Sequence, residues 1–262
     1  MSAVILQDEI VHYEVLGRGR PLFFLHGWVG SWRYWIPAMQ AASISYRAYA
    51  MDLWGFGDTA KDPEKYGISQ QVSLVYDFSE KLGIGKIALI GHGLGAIVAL
   101  NYAIQYPASV DRIMAIGLPM GNNSLNPRMS TSSPSELADW LLGRQPATEA
   151  ARAEAPKTDA HAVGASITSL DHFNWAELSG RISTPCLFVN GSNDPAVPPP
   201  HPEDINALPE QTHQISFEQS GHFPMLDETS KFNRLMADFL ALPSGESPRQ
   251  LQLKEEWKRR VR

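Results

Sequence analysis

The chain has one cysteine in 262 residues. A lone thiol closes no internal disulfide. Cys186 also sits in the apolar run Cys186-Leu187-Phe188-Val189, where a buried, inert thiol and a reducing compartment are expected. Long apolar runs are missing too: nothing approaches the roughly 18 residues that a membrane helix requires. The opening MSAVILQDEI meets Asp8 after a few apolar residues and has no basic leader, so a cytoplasmic location is expected. Positive charge is scarce. Lys and Arg total 22 against 28 Asp and Glu, a formal net charge of −6, and basic residues concentrate only in the last dozen positions. Neither nucleic acid nor a membrane is therefore the expected partner, which leaves a small molecule.

What is present is apolar residues, 44% of the chain, enough for one domain with a substantial core and a small insertion. The stretch Lys86 to Ala99, KIALIGHGLGAIVA, organises the rest. Its run Ile87-Ala88-Leu89-Ile90 reads as a buried strand, and Ala96 onward reads as a helix. Only Gly91-His92-Gly93-Leu94-Gly95 lies between them. A strand reverses into a helix this tightly only where backbones approach more closely than a Cβ permits, which accounts for the flanking glycines. The turn lifts Gly93 to an apex at a helix N-terminus, where N–H groups and the positive dipole end favour developing negative charge. Glycine brings no side chain to react.

Along the chain, Ile10 to Val15 alternates as a half-buried antiparallel strand, and Leu22 to Leu25 is a solid apolar run suited to a parallel sheet. Ser31 is placed to cap a helix carrying Trp32, Tyr34, Trp35 and Met39. Tyr46 to Met51 forms a strand ending at Asp52, and Ser69 to Leu82 is an amphipathic helix. Further strands follow at Asp111–Gly117, Pro185–Gly191 and Thr212–Phe217, with a helix from Glu228 to Leu242. Strands alternating with helices at this spacing predict right-handed crossovers. The expected fold class is α/β, a doubly wound, mostly parallel sheet with a small inserted cap. Residues 1–121 and 181–242 make the core, 122–180 the cap and 243–262 a C-terminal extension. The cap has weak helical patches at Ser135–Leu142 and Thr148–Ala155 and the aromatics Trp140, Phe173 and Trp175; a long loop is the other reading of this segment. The extension is expected to dock as a helix through Leu251, Leu253 and Trp257.

Ligands of doubly wound sheets bind beyond the carboxyl ends of the strands, and His26, Gly93, Asp194 and His222 all fall there. The loop His26-Gly27-Trp28-Val29-Gly30, the loop Asp52-Leu53-Trp54-Gly55-Phe56-Gly57, the turn Gly91 to Gly95, and Asp194 with Ser220-Gly221-His222 occur in that order. On these four motifs the chain resembles the α/β-hydrolase fold superfamily, in its small esterase- or perhydrolase-like form, from about residue 10 to residue 242. The resemblance implies that His222 is the general base, that Asp194 orients it, and that the backbone N–H groups of Trp28 and Leu94 form the oxyanion hole. It also implies a nucleophile at position 93, normally Ser and sometimes Asp or Cys, where this chain has Gly93. That departure removes the covalent step.

No cofactor or metal is expected. His161 and His172 lie in the cap without a second ligand at metal spacing, so surface or packing roles are expected. His92 is expected to support the apex, His26 to fix the oxyanion loop, and Asp52 to anchor neighbouring loops. A substrate pocket lined by Trp54, Trp140 and Phe223, with Trp28, would favour small or medium esters, lactones or amides. Three readings stay open on sequence alone: an esterase-like protein with its nucleophile replaced, an enzyme using the His222-Asp194 dyad as general base on substrate or water, and a non-catalytic binding protein.

Overall fold

The structure is a computed structural model that describes residues 2–120, 124–172 and 175–251. Its centre is an eight-stranded sheet of β1 (Ser2–Leu6), β2 (Glu9–Leu16), β3 (Arg20–Leu25), β4 (Tyr46–Met51), β5 (Ile87–His92), β6 (Val110–Ile116), β7 (Cys186–Gly191) and β8 (Thr212–Phe217). The spatial order is β1-β2-β4-β3-β5-β6-β7-β8; β2 runs antiparallel to both its neighbours, and all other pairings are parallel. The apolar runs explain the burial: Leu22 to Leu25, all of β5 and all of β7 are buried, as strands covered on both faces must be. From β3 the chain goes first to β4 on one side, then crosses to β5 on the other. The direction of winding therefore reverses between β3 and β5, where crevices form in open sheets. Leu25 pairs with Gly91, so His26-Gly27-Trp28 and His92-Gly93-Leu94 leave the sheet side by side.

Four helices flank the sheet: α1 (Ile36–Ala42), entered through a 3-10 turn Trp32–Trp35, then α2 (Ile68–Lys81), α3 (Leu94–Gln105) and, near the C-terminus, α11 (Thr229–Ala241). α1 packs with α11 and α2 with α3. Among the described residues no helix is long and apolar enough to cross a membrane. The reading of the sequence placed the first strand at Ile10, yet the chain starts one strand earlier. β1 folds back on β2 through Gln7 and Asp8, both with positive φ, pairing Ile5 with Ile10. The helix expected from Ser69 begins at Ile68, with Gly67 before it.

Between β6 and β7 lie α4 (Arg128–Thr131), α5 (Pro134–Leu141), α6 (Pro146–Glu154), α7 (Ala160–Thr168) and α8 (Trp175–Gly180), so helices rather than a long loop describe this insertion. Only α5 and α6 match the patches read from sequence. α7 escaped because it buries Ala162, Val163 and Ser166, small residues that leave no apolar stripe. Short helices α9 (Pro202–Asn206) and α10 (Pro224–Asp227) flank β8. Leu251 is partly buried against the core. Phe173 and the tail beyond Leu251, including Leu253, Trp257 and its basic residues, lie outside the described residues.

The insertion is tied to the core at several points. Trp28 Nε1–H donates to Ser166 Oγ at 3.0 Å, Tyr66 O–H to Asp159 Oδ2 at 2.7 Å, and the Asp159 N–H to the Gly55 carbonyl at 2.8 Å. Glu154 on α6 is nearly buried and accepts from Arg33 Nε at 2.9 Å and Ser31 Oγ at 3.2 Å, with Lys157 Nζ at 3.2 Å.

Two backbones also pack closely at the start of α3. The Gly95 N–H donates to the His26 carbonyl at 3.0 Å, and a Cβ on Gly95 would overlap the Leu25 carbonyl, a backbone group with no freedom to swing aside. Gly95→Ala is expected to cost at least about 2 kcal/mol in urea denaturation, as overpacking against a fixed wall does. Wild-type stability in that variant would contradict this account.

Candidate active site

β5 ends at His92, and Gly93 follows with φ of 50° and ψ of −112° before α3 begins at Leu94. A positive φ is a region that L side chains rarely adopt, and glycine reaches it without strain. The Gly93 N–H is engaged by the Ile116 carbonyl at 2.8 Å. A Cβ built on Gly93 would lie 3.1 Å from Cε3 and Cζ3 of the Trp28 indole. The Trp28 ring therefore walls the space a side chain at the apex would enter, and Ser166 of α7 holds that ring.

The loop after β3 is fixed from within. His26 Nδ1–H donates to the Gly27 carbonyl at 2.7 Å, while His26 Nε2 accepts the Leu53 N–H at 3.0 Å. A carbonyl only accepts and an N–H only donates, so the two partners define the tautomer. Gly27 C=O and Trp28 N–H belong to one planar trans peptide and point opposite ways, so holding the carbonyl aims the Trp28 N–H. Neither the Trp28 nor the Leu94 N–H meets an acceptor among the described residues. Both are available to a negatively charged oxygen.

The acid and the histidine meet. His222 Nδ1–H donates to Asp194 Oδ2 at 2.8 Å, with both side chains almost fully buried. The other carboxylate oxygen accepts the Ala196 N–H at 2.8 Å and the Val197 N–H at 3.0 Å, which fixes the acid. The two loops are joined by the Asn193 N–H on the Ser220 carbonyl at 3.0 Å. The Gly221 N–H donates to Asp227 Oδ2 at 2.9 Å, which braces the histidine loop from α10. With Nδ1–H committed to a carboxylate, Nε2 of neutral His222 carries the lone pair of a base. Its ring lies 4.6 Å, centroid to centroid, from that of His92, the residue next to Gly93.

The aromatics expected to line a pocket divide. The Phe223 ring packs on His92 at 4.8 Å and His222 at 5.2 Å. The backbone N–H and carbonyl of Trp54 are both bonded to the Gln71 amide of α2, and its ring lies under Lys65 Nζ. Trp140 stacks under the Arg128 guanidinium. His161 is exposed beside Asp159. Asp52 accepts the N–H groups of Trp32 and Asp58 and Nδ1–H of His12, tying three segments together. His12, Asp52 and Asp58 are the group among the described residues whose atoms come within 4.8 Å of one another, close enough to share a cation. Lys157 Nζ already holds both oxygens of Asp58 at 3.0 Å. Tyr34 and Ser166 were not singled out from sequence, although a hydroxyl on a buried stripe must find a partner.

The profile of the alpha/beta hydrolase family matches residues 22–235. The chain belongs to that family. The proposed carbamate hydrolase RutD of Shigella flexneri serotype X is 25% identical over 241 residues, covering 83% of this chain and 90% of its own. A hydrolase from Pseudomonas aeruginosa PA01 shares the fold with a TM-score of 0.82 at 19% identity, covering 92% of this chain and 98% of that one. A serine-to-glycine mutant of the N-acyl homoserine lactonase AidH, complexed with N-hexanoyl homoserine lactone, superposes with a TM-score of 0.79 at 20% identity, covering 91% and 96%. The esterase EaEST from Exiguobacterium antarcticum gives 0.80 at 18%, covering 92% and 99%.

Gly93→Ser is expected to fold but to lose about 1–3 kcal/mol from the positive φ and the contact with Trp28. A higher melting temperature than that of the parent would refute strain at the apex. Burial also pushes His26 below the usual imidazole range and His92 well below it, where the nearby His222 adds to the effect. Both stay neutral in the folded chain while the unfolded chain protonates them, so their stability is present above pH 6.5 and lost as pH falls toward the folded values. In His12 burial opposes charging, but Asp52 outweighs it and the pKa is raised; that contribution grows as pH falls from 7 and is full once pH is below 6.5, so it offsets the loss only near neutrality. The melting temperature should drop between about pH 6 and pH 5, by the equivalent of up to about 1.4 kcal/mol per pH unit for each imidazole that stays neutral. A flat or rising profile over this range would exclude the assignment.

Proposed function

We propose that this chain carries the site of a serine-type hydrolase for small or medium carboxylic esters or lactones, with Gly93 in place of the nucleophile. One observation carries the reading: a buried His222-Asp194 pair bonded at 2.8 Å beside an apex that has turn, N–H groups and helix N-terminus but no side chain. In this reading a bound ester turns its carbonyl oxygen to the N–H groups of Trp28 and Leu94, Phe223 lines the acyl side, and the helices of the cap close over it. His222 Nε2 would take the proton of a hydroxyl at position 93, Asp194 would stabilise the imidazolium, and the hydroxyl oxygen would attack the carbonyl carbon; the resulting oxyanion would collapse and expel the alcohol, which takes the proton from His222, and water activated by His222 would then release the acid. Without that hydroxyl no acyl-enzyme forms. What remains is orientation and oxyanion stabilisation, on the order of 10³–10⁴ over water for such sites. The relatives support the substrate class, since a carbamate, an ester and a lactone all present a carbonyl with a leaving group.

The test is an ester screen with p-nitrophenyl acetate, butyrate and hexanoate, run in parallel on the chain and on Gly93→Ser, with labelling by a fluorophosphonate. The serine variant is expected to gain at least about 10³-fold in kcat/KM and to label stoichiometrically, and His222→Ala in that variant to abolish both. A folded Gly93→Ser variant that neither hydrolyses nor labels would overturn the proposal.

A further inference from the structure

A single chain of hydrogen bonds crosses the site through Tyr34, which no role above absorbs, and His92, expected only to support the apex. The Gly27 N–H donates to Tyr34 Oη at 2.7 Å, Tyr34 O–H meets His92 Nδ1 at 3.1 Å, and His92 Nε2 meets the carbonyl oxygen of His222 at 2.8 Å. The two ends set its polarity. A carbonyl accepts only, so His92 Nε2 bears hydrogen; neutral His92 then accepts at Nδ1, so Tyr34 donates there and accepts from Gly27. Each of these donors and acceptors is used once. Four segments meet in this chain: the loop after β3, the 3-10 turn before α1, the end of β5 and the loop after β8. Tyr34, His92 and His222 are all within 2% of full burial, so each link is shielded from bulk solvent.

We infer that Tyr34 and His92 are positioning residues, which hold the backbone of the base histidine and the oxyanion loop in one register through this relay. The inference rests on the reading of His222 as base and of the Trp28 N–H as oxyanion donor. Its physical content is a coupling. Gly27 is fixed at its N–H by Tyr34 and at its carbonyl by His26, so the two peptide units that meet at Gly27, the second of which carries the Trp28 N–H, are both held. The far end of the relay grips His222 at its main chain, while Asp194 grips its ring. The two halves of the site thus share one rigid path through the residue beside the apex. Packing reinforces it: Tyr34 meets both His92 and Phe223 edge to face, with ring centroids 5.8 and 5.5 Å apart. Removing the phenol oxygen leaves two buried groups unpaired, the Gly27 N–H and His92 Nδ1, and frees the loop and the base to shift independently.

The experiment has an arm that needs no activity. Imidazole ¹⁵N and ¹H NMR on the chain as it stands should show His92 as the Nε2–H tautomer. In Tyr34→Phe, the His92 Nδ1 resonance and the ring resonances of His222 should both move. In the Gly93→Ser background, Tyr34→Phe should lower kcat by about 10–100-fold, as small misplacements of reacting groups do, with KM within about threefold and an altered pH profile. His92→Gln, which keeps an N–H donor, is the second variant if Tyr34→Phe does not fold, and it should show the same split between kcat and KM. A variant that melts lower yet keeps the kcat, pH profile and His222 ring resonances of its parent would reduce Tyr34 to a packing residue and overturn the inference. If the NMR changes appear while Gly93→Ser stays inactive, the relay stands and the hydrolase reading falls.

Discussion

The contact on which the site depends is the seating of the first turn of α3 directly on the end of β3. The Gly95 N–H bonds the His26 carbonyl, and no side chain separates the two backbones. This brings the loop after β3 and the apex after β5 into one crevice at the point where the winding of the sheet reverses. Both candidate oxyanion donors, Trp28 and Leu94, lie within two residues of that joint. The Asp194 and His222 loops then arrive from β7 and β8, whose parallel pairing delivers their carboxyl ends to the same edge.

The arrangement places opposite demands on neighbouring groups. His26 and His92 are kept neutral by burial and serve as fixed donors and acceptors, whereas His222 keeps one nitrogen free. Three imidazoles within one small volume thus differ in task because their partners differ. A carbonyl for His26 and His92 and a carboxylate for His222 decide which can stabilise a positive charge.

Much of this was legible in the chain because its signals are local. Unbroken apolar runs marked the buried strands, the glycines marked the turn after β5, and polar residues at strand ends marked Asp194 and His222. What was hidden depends on where side chains point. Trp54 and Trp140 read as pocket aromatics, but a sequence does not say that one ring goes to Lys65 and the other to Arg128. Tyr34 read as one apolar position on a stripe, while its hydroxyl bridges two loops. β1 went unread because its turn uses Gln7 and Asp8 at positive φ rather than Asn-Gly or Gly-Gly.

The grip of the inserted helices has an electrostatic consequence. Trp28, Gly93, Leu94, His222 and Phe223 are all buried, and the Trp28 ring is tethered to α7 through Ser166. Shielded from water, the Asp194-His222 pair and the N–H groups at the apex act through a medium of low dielectric, where a given charge is felt more strongly than it would be at the surface.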